Sequence, residues 1–186
     1  TQLNKKEIEN ELKDSKSIIE DIIGKEVKMF SYPHGGVNKE IRDLVENSIT
    51  LVQNYESIIP LRRLDTLKIA SLSIGRNGSK FQNTISKYAQ VDHYTISENA
   101  STEERESMIS KLSDYNLVLI GIHKSNSSPW KDYSFNKRID LFIQKLSVQS
   151  KVVVSIFANP YSINSFLFVN NFDALIMSYQ NSEISQ

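Results

Sequence analysis

The side chains that could do chemistry are few, and their spacing rules out most of what they could do. The three histidines are His34, His93 and His123; no two stand three or four residues apart, the spacing that sets two metal ligands on one helix face. With no cysteine in the chain, a thiolate zinc site has no ligands, and neither metal nor cofactor is expected. No Gly-x-Ser-x-Gly elbow occurs, so a serine hydrolase would lack a nucleophile in its usual strand-to-helix turn. No two carboxylates are marked out as the protonated acid and ionised partner of glycoside hydrolysis. Gly75-Arg76-Asn77-Gly78-Ser79 has neither the three-glycine spacing of a dinucleotide loop nor the Gly-Lys-Ser/Thr ending of a P-loop, and reads as a plain turn. No catalytic residue is assigned.

One segment is richer. His123-Lys124-Ser-Asn-Ser-Ser-Pro-Trp130-Lys131-Asp-Tyr133 gathers an imidazole, amines and aromatic rings. Aromatic faces cover the apolar face of a sugar ring while amide, amine and imidazole groups bind its hydroxyls. His123, Lys124, Trp130, Asn159 and Tyr161 are therefore the candidate substrate-binding residues. An equally physical reading makes Trp130 a packing anchor for its loop or for another domain. His93 falls inside a strand pattern and reads as a structural histidine.

The elements that would position these residues follow from hydrophobic periodicity. Asn4–Ile23 carries apolar residues near the 3.6 period of an amphipathic helix, ended by Gly24. A short strand Val27–Tyr32, a Pro33-His34-Gly35-Gly36 turn and a helix from Asn38 to about Asn47 follow. Beyond Ile49 strands alternate with helices, the pattern of a parallel sheet covered on both faces. Strands are expected at Thr50–Gln53, Leu67–Ile74, Val91–Ile96, Leu117–Ile122, Val152–Phe157 and Ala174–Ser178. Helices are expected at Lys80–Ala89, Thr102–Leu112, Asn136–Leu146 and Ser162–Val169, with Ser101 as an N-cap ahead of Glu103 and Glu104. Asn54–Asp65 reads as the nearest thing to a linker. The fold class is α/β, a doubly wound, mostly parallel sheet of five to six strands with helices on both faces, whose ligands approach the carboxyl ends of the strands.

Composition agrees with one compact domain. The 186 residues are 39% hydrophobic and 24% charged, and 22 Lys and Arg balance 22 Asp and Glu. Zero net charge supplies no field toward nucleic acid or an anionic membrane, so neither is an expected partner. The longest apolar runs, Asn116–Ile122 and Lys151–Phe157, are seven residues against the roughly 20 that span a bilayer. Thr1-Gln2-Leu3 opens without Met, basic region or apolar stretch, which reads as a cut start with no signal peptide.

Two family resemblances lie on separate parts of the chain. Residues 1–48 resemble a partial polysaccharide deacetylase, through Asn10–Lys16, Gly24-Lys25, Phe30–Gly35, Asn38–Ile41 and Leu44-Val45. In that family a Tyr-Pro-Tyr-Gly-like motif lines the metal site, and its matching positions here are Tyr32, Pro33 and His34. The family's Asp-Asp and His-x-x-x-His ligand motifs, which lie upstream of this match, do not occur. The remnant therefore implies no bound cation to activate water.

Residues 49–186 resemble the C-terminal α/β domain of glycoside hydrolase family 3, in its bacterial β-N-acetylglucosaminidase branch. The resemblance rests on Ile49–Asn54, Ile59–Leu61, Leu67–Gly75, Asn116–Lys124, Phe157–Tyr161 and Ala174–Asn181. It implies a domain packed beside a catalytic (β/α)8 barrel that holds the nucleophile and the acid/base, and a bacterial periplasmic or envelope setting. The two segments meet near Ser48-Ile49, like fragments of two families joined at a helix end. Together they imply a non-catalytic α/β domain or chimeric fragment derived from carbohydrate-active hydrolases, with a scaffolding or substrate-contact role beside a missing catalytic barrel. The alternatives are a hydrolase of N-acetylglucosamine-containing glycans completed by a partner chain, and a stand-alone glycan-binding module.

Overall fold

Runs such as LVLIGIH and KVVVSIF place large aliphatic side chains on both faces of a strand, and a strand so built must be covered from both sides. The computed structural model describes residues 17, 20, 21, 49–75, 80–124, 135–158, 162, 163, 166 and 171–178. It holds six strands: β1 (Thr50–Asn54), β2 (Ile69–Ile74), β3 (Val91–Ile96), β4 (Leu117–His123), β5 (Lys151–Phe157) and β6 (Ala174–Met177). Three α-helices join them among the described residues: α1 (Lys80–Ile85), α2 (Thr102–Leu112) and α3 (Lys137–Ser147). The strands form one sheet in the order β1-β6-β5-β4-β2-β3. From β2 to β6 every pairing is parallel, and β1 closes the edge antiparallel to β6.

Alternation along the strands divides the core into two layers. On one face Leu72, Ile74, Ile120, Ile122, Val154 and Ile156 meet Ile109 and Leu112 of α2 and Ile139, Phe142, Ile143 and Leu146 of α3. On the other, Ile69, Leu117, Leu119, Val153 and Phe157 meet Phe81 of α1. This second face is less oily: Ser71, Ser73, Ser155 and His123 are all buried. Gln82 of α1 pins it, donating from Nε2 to the carbonyls of Ser71 at 3.2 Å and Tyr94 at 2.9 Å.

Local signals explain the helix starts. Ser101 Oγ accepts from the Glu104 amide at 3.2 Å, while Glu104 Oε2 accepts from the Ser101 amide at 2.7 Å, a complete capping box at α2. At α3 Asn136 Oδ1 accepts from the Arg138 amide at 3.0 Å.

Several boundaries differ from the sequence reading. Helix α1 stops at Ile85 rather than Ala89; Lys87 and Tyr88 donate back three residues, to Thr84 and Ile85, instead of four. The β-branched pair Thr84-Ile85 and the adjoining Ser86 are poor helix propagators. Strand β2 starts at Ile69, two residues late, after a 3-10 turn at Leu64–Thr66. Asn54–Asp65 is no linker: Ile58, Ile59, Leu61 and Leu64 pack on the second face of the sheet. The Asn54 side chain clasps that segment, accepting from the Ile59 amide at 2.9 Å and donating to the Ile59 carbonyl at 2.8 Å. Ser17, Glu20 and Asp21 are helical, within the segment read as the Asn4–Ile23 helix. The elements read across 24–48 lie outside the described residues, as does most of Ser162–Val169, of which Ser162 and Ile163 lie in a 3-10 turn.

Candidate functional site

From β2 the chain moves to one side, through α1 to β3, and then crosses back through α2 to β4 on the other side. The carboxyl ends of β2 and β4 therefore flank the point where the winding reverses, where doubly wound sheets open a ligand crevice. Gly75 and His123 occupy those two ends.

Gly75 has φ +97°, and a Cβ there would lie 2.6 Å from the His123 carbonyl oxygen. Backbone conformation and space both demand glycine. The Gly75 amide donates to the Ile96 carbonyl at 3.2 Å, tying the end of β2 to that of β3.

His123 is the last residue of β4, where the sequence reading ended the strand at Ile122, and it is 5% exposed. Its ring stacks on its register partner Phe157 at 4.7 Å between centroids with planes 3° apart. Phe81 of α1 stands edge-on to both, at 6.2 Å from His123 and 5.3 Å from Phe157. Room for this trio comes from Gly121: a Cβ there would lie 2.7 Å from Phe81 Cδ1 and 2.9 Å from His123 Nε2. The trio makes a buried aromatic layer between α1 and the carboxyl ends of β4 and β5 rather than an exposed imidazole.

Lys124 points to the opposite face, as strand alternation requires. It is half-buried, its amide donates to the Phe157 carbonyl at 3.2 Å, and its Nζ lies 5.2 Å from the centre of the Phe135 ring. That cation–π contact presents an amine over an aromatic face just ahead of α3. Of the candidate binding residues the structure brings His123 and Lys124 to the same strand end, on opposite faces; Trp130, Asn159 and Tyr161 lie outside the described residues. So do Tyr32, Pro33 and His34 of the deacetylase-like motif. The sequence reading missed Phe81, Gly121 and Phe157 as partners of His123. The available signal was Gly121, an isolated glycine inside an apolar strand, which marks close approach by another group.

His93 lies on β3, with its Nε2 2.7 Å from Ser86 Oγ, on an exposed stretch of the edge strand. Among the described residues there is no group of three or more His, Asp or Glu side chains placed to hold a metal ion. Likewise, among those residues no helix is long and apolar enough to cross a membrane.

The architecture is an α/β doubly wound sheet with one antiparallel edge strand. Residues 1–49 match the polysaccharide deacetylase family model. No curated protein sequence matches the chain. Among solved structures, a β-N-acetylglucosaminidase of glycoside hydrolase family 3 from Paenibacillus sp. str. FPU-7 is similar with a TM-score of 0.58 and 16% identity, over 84% of this chain and 31% of that one. A fungal multi-domain family 3 β-N-acetylglucosaminidase is similar with a TM-score of 0.57 and 17% identity, over 77% of this chain and 16% of that one. A β-glucosidase from Listeria innocua, in complex with glucose, has a TM-score of 0.57 and 14% identity, over 80% and 25%. At these identities the likeness is one of fold, and the chain spans less than a third of the length of each of these enzymes.

Proposed function

We propose that residues 49–186 act as a non-catalytic α/β domain of a carbohydrate-active hydrolase, in a scaffolding or substrate-contact role beside a catalytic (β/α)8 barrel, with residues 1–48 a partial deacetylase segment joined to it. The observation that carries this reading is the extent of the fold likeness. It runs over most of this chain but a minor part of each larger enzyme, as expected of one domain from a multi-domain hydrolase. In this role the buried layer of His123, Phe157 and Phe81 braces the carboxyl edge, and the chemistry belongs to another unit. The test is turnover. The chain is incubated with a chromogenic N-acetylglucosaminide, and with acetylated chito-oligosaccharide in the presence of zinc. No release of chromophore or acetate is expected; clear turnover of either substrate shows instead a hydrolase of N-acetylglucosamine-containing glycans.

A second reading, a stand-alone glycan-binding module, draws on the half-buried Lys124 amine over Phe135 at the same edge. It would use His123, Lys124, Trp130, Asn159 and Tyr161, with the Trp130 ring against a sugar face. Calorimetric titration with N-acetylglucosamine oligomers decides it. Binding that disappears in Trp130→Ala supports the module, and a heat trace equal to dilution dismisses it.

A further inference from the structure

Helices α2 and α3 lie on the same face of the sheet, and between them runs an open groove of about 230 Å³. Its floor is apolar, made by Ile109 and Phe142, and Leu141, half exposed, stands on its rim. Arg105 and Arg138 also line it.

Arg105 is the unusual member. It is 7% exposed, yet among the described residues it pairs with no carboxylate, and its one side-chain hydrogen bond there runs from Nη2 to the Glu98 carbonyl at 3.3 Å. A guanidinium carries five donors; none of the Arg105 nitrogens is both sealed from water and unbonded, so its unused donors reach solvent where it lines the groove. The other charges along the groove do not compensate it. Glu106 of α2 is held by Lys145 of α3 in a direct ion pair, so those two cancel. Arg138, exposed at the start of α3, adds a second uncancelled positive charge. The groove is thus a short apolar trough with two arginines and no carboxylate to match them.

We propose that this groove docks a segment of a partner protein that presents a carboxylate beside an apolar side chain. The carboxylate would meet Arg105 and Arg138, for which Arg forks are suited, and the apolar group would cover Phe142 and Leu141. Two features favour a protein segment over a small metabolite. The volume falls below the roughly 300–1,000 Å³ of small-molecule pockets, and it matches one or two side chains. The trough is also open along the helices, as helix-groove docking sites are. This surface is separate from the carboxyl-edge crevice, so the inference does not depend on the function proposed above.

The experiment titrates the full ¹⁵N-labelled chain with acetyl-Leu-Glu-Leu-Glu-amide, with acetyl-Leu-Gln-Leu-Gln-amide, and with hexanoate. The acidic peptide is expected to shift α2 and α3 resonances, the Arg105 side chain included, and to bind about tenfold or more tighter than its Gln counterpart. Arg105→Met keeps the packing stem and removes the charge, and is expected to lose about tenfold or more in affinity. Arg138→Met, at an exposed position where folding is not at stake, is expected to weaken binding in the same direction. Equal binding of the two peptides, wild-type affinity in both variants, or no shift up to roughly 1 mM acidic peptide overturns the proposal. Hexanoate bound as tightly as the peptide overturns it too, by making the groove a site for small carboxylates.

Discussion

Gly121 and Phe81 adjoin so closely that a methyl group on Gly121 would lie 2.7 Å from the Phe81 ring. The first belongs to β4 and the second to α1, so this contact sets how deeply α1 seats on the sheet. The same missing side chain leaves room for the His123 imidazole, whose Nε2 would lie 2.9 Å from that methyl. A single hydrogen in place of a methyl therefore makes room for the packing of Phe81 and His123 on β4.

Gly121→Ala should destabilise the chain by about 1–3 kcal/mol, the usual cost of overpacking a tight interior. Gly121→Ala combined with Phe81→Leu should recover part of that loss, because the smaller side chain withdraws from the added methyl. Urea midpoints of the single and double variants measure it. Equal midpoints for the two would separate Gly121 from Phe81.

At Gly75 strain and collision coincide. Gly75→Ala should cost more than about 1 kcal/mol. Gly75→Asn, which tolerates a left-handed backbone better than alanine, should bring little relief because its Cβ still meets the His123 carbonyl oxygen 2.6 Å away. Thermal unfolding of the two variants distinguishes collision from dihedral preference.

The stacked histidine should behave as a buried aromatic. His123→Ala, by emptying the space against Phe157 and Phe81, should lower stability by about 2–4 kcal/mol. His123→Phe should be tolerated far better in a denaturant titration. A large loss for His123→Phe would point to a polar duty for the imidazole.

The two ends of the pH range should report two different groups. Tyr115 lies 2.8 Å from the Tyr94 hydroxyl and donates to Asp92 Oδ2 at 2.7 Å. Its phenol is pushed well above the usual tyrosine range by the bond to Tyr94 first, then by Asp92 and by burial. A raised phenol stabilises the fold while protonated, so its contribution is complete below the ordinary value of 10.0 and disappears as pH climbs beyond it. Tyr115→Phe should cost about 1 kcal/mol at neutral pH and flatten the alkaline decline of the melting temperature. Glu103 is held below its ordinary 4.5, by a backbone hydrogen bond first and by Ser101 second. Its contribution is present above that value and fades as pH falls below it, so Glu103→Gln should flatten the acid decline below the ordinary value of 4.5.

The sequence disclosed elements whose signals are local. Ser101 and Glu104 announce the start of α2, and the helix runs over Thr102–Leu112, the span its pattern predicts. Continuous aliphatic runs announced β4 and β5, because a strand covered on both faces needs apolar residues at every step. What stayed hidden depends on distant neighbours. Nothing near Thr50 says that β1 pairs antiparallel with β6, more than 120 residues away. Nothing in Pro60 or Arg62-Arg63 says that the surrounding Ile58, Ile59, Leu61 and Leu64 are drawn onto the sheet. The site was half legible: His123 and Lys124 stood out by type, whereas the stacking that buries one imidazole needed Phe81 from another element.

The pairing of β1 with β6 sets Thr50 directly across from Met177. The polypeptide thus comes into the sheet and goes out of it side by side, at the rim where Gly75 and His123 sit. The sheet can be carried like a cassette, spliced into a longer molecule through two adjacent tethers, with little distance to bridge between them. Anything joined ahead of Thr50 or behind Met177 is thereby anchored at the carboxyl rim of the sheet, at the edge opposite β3.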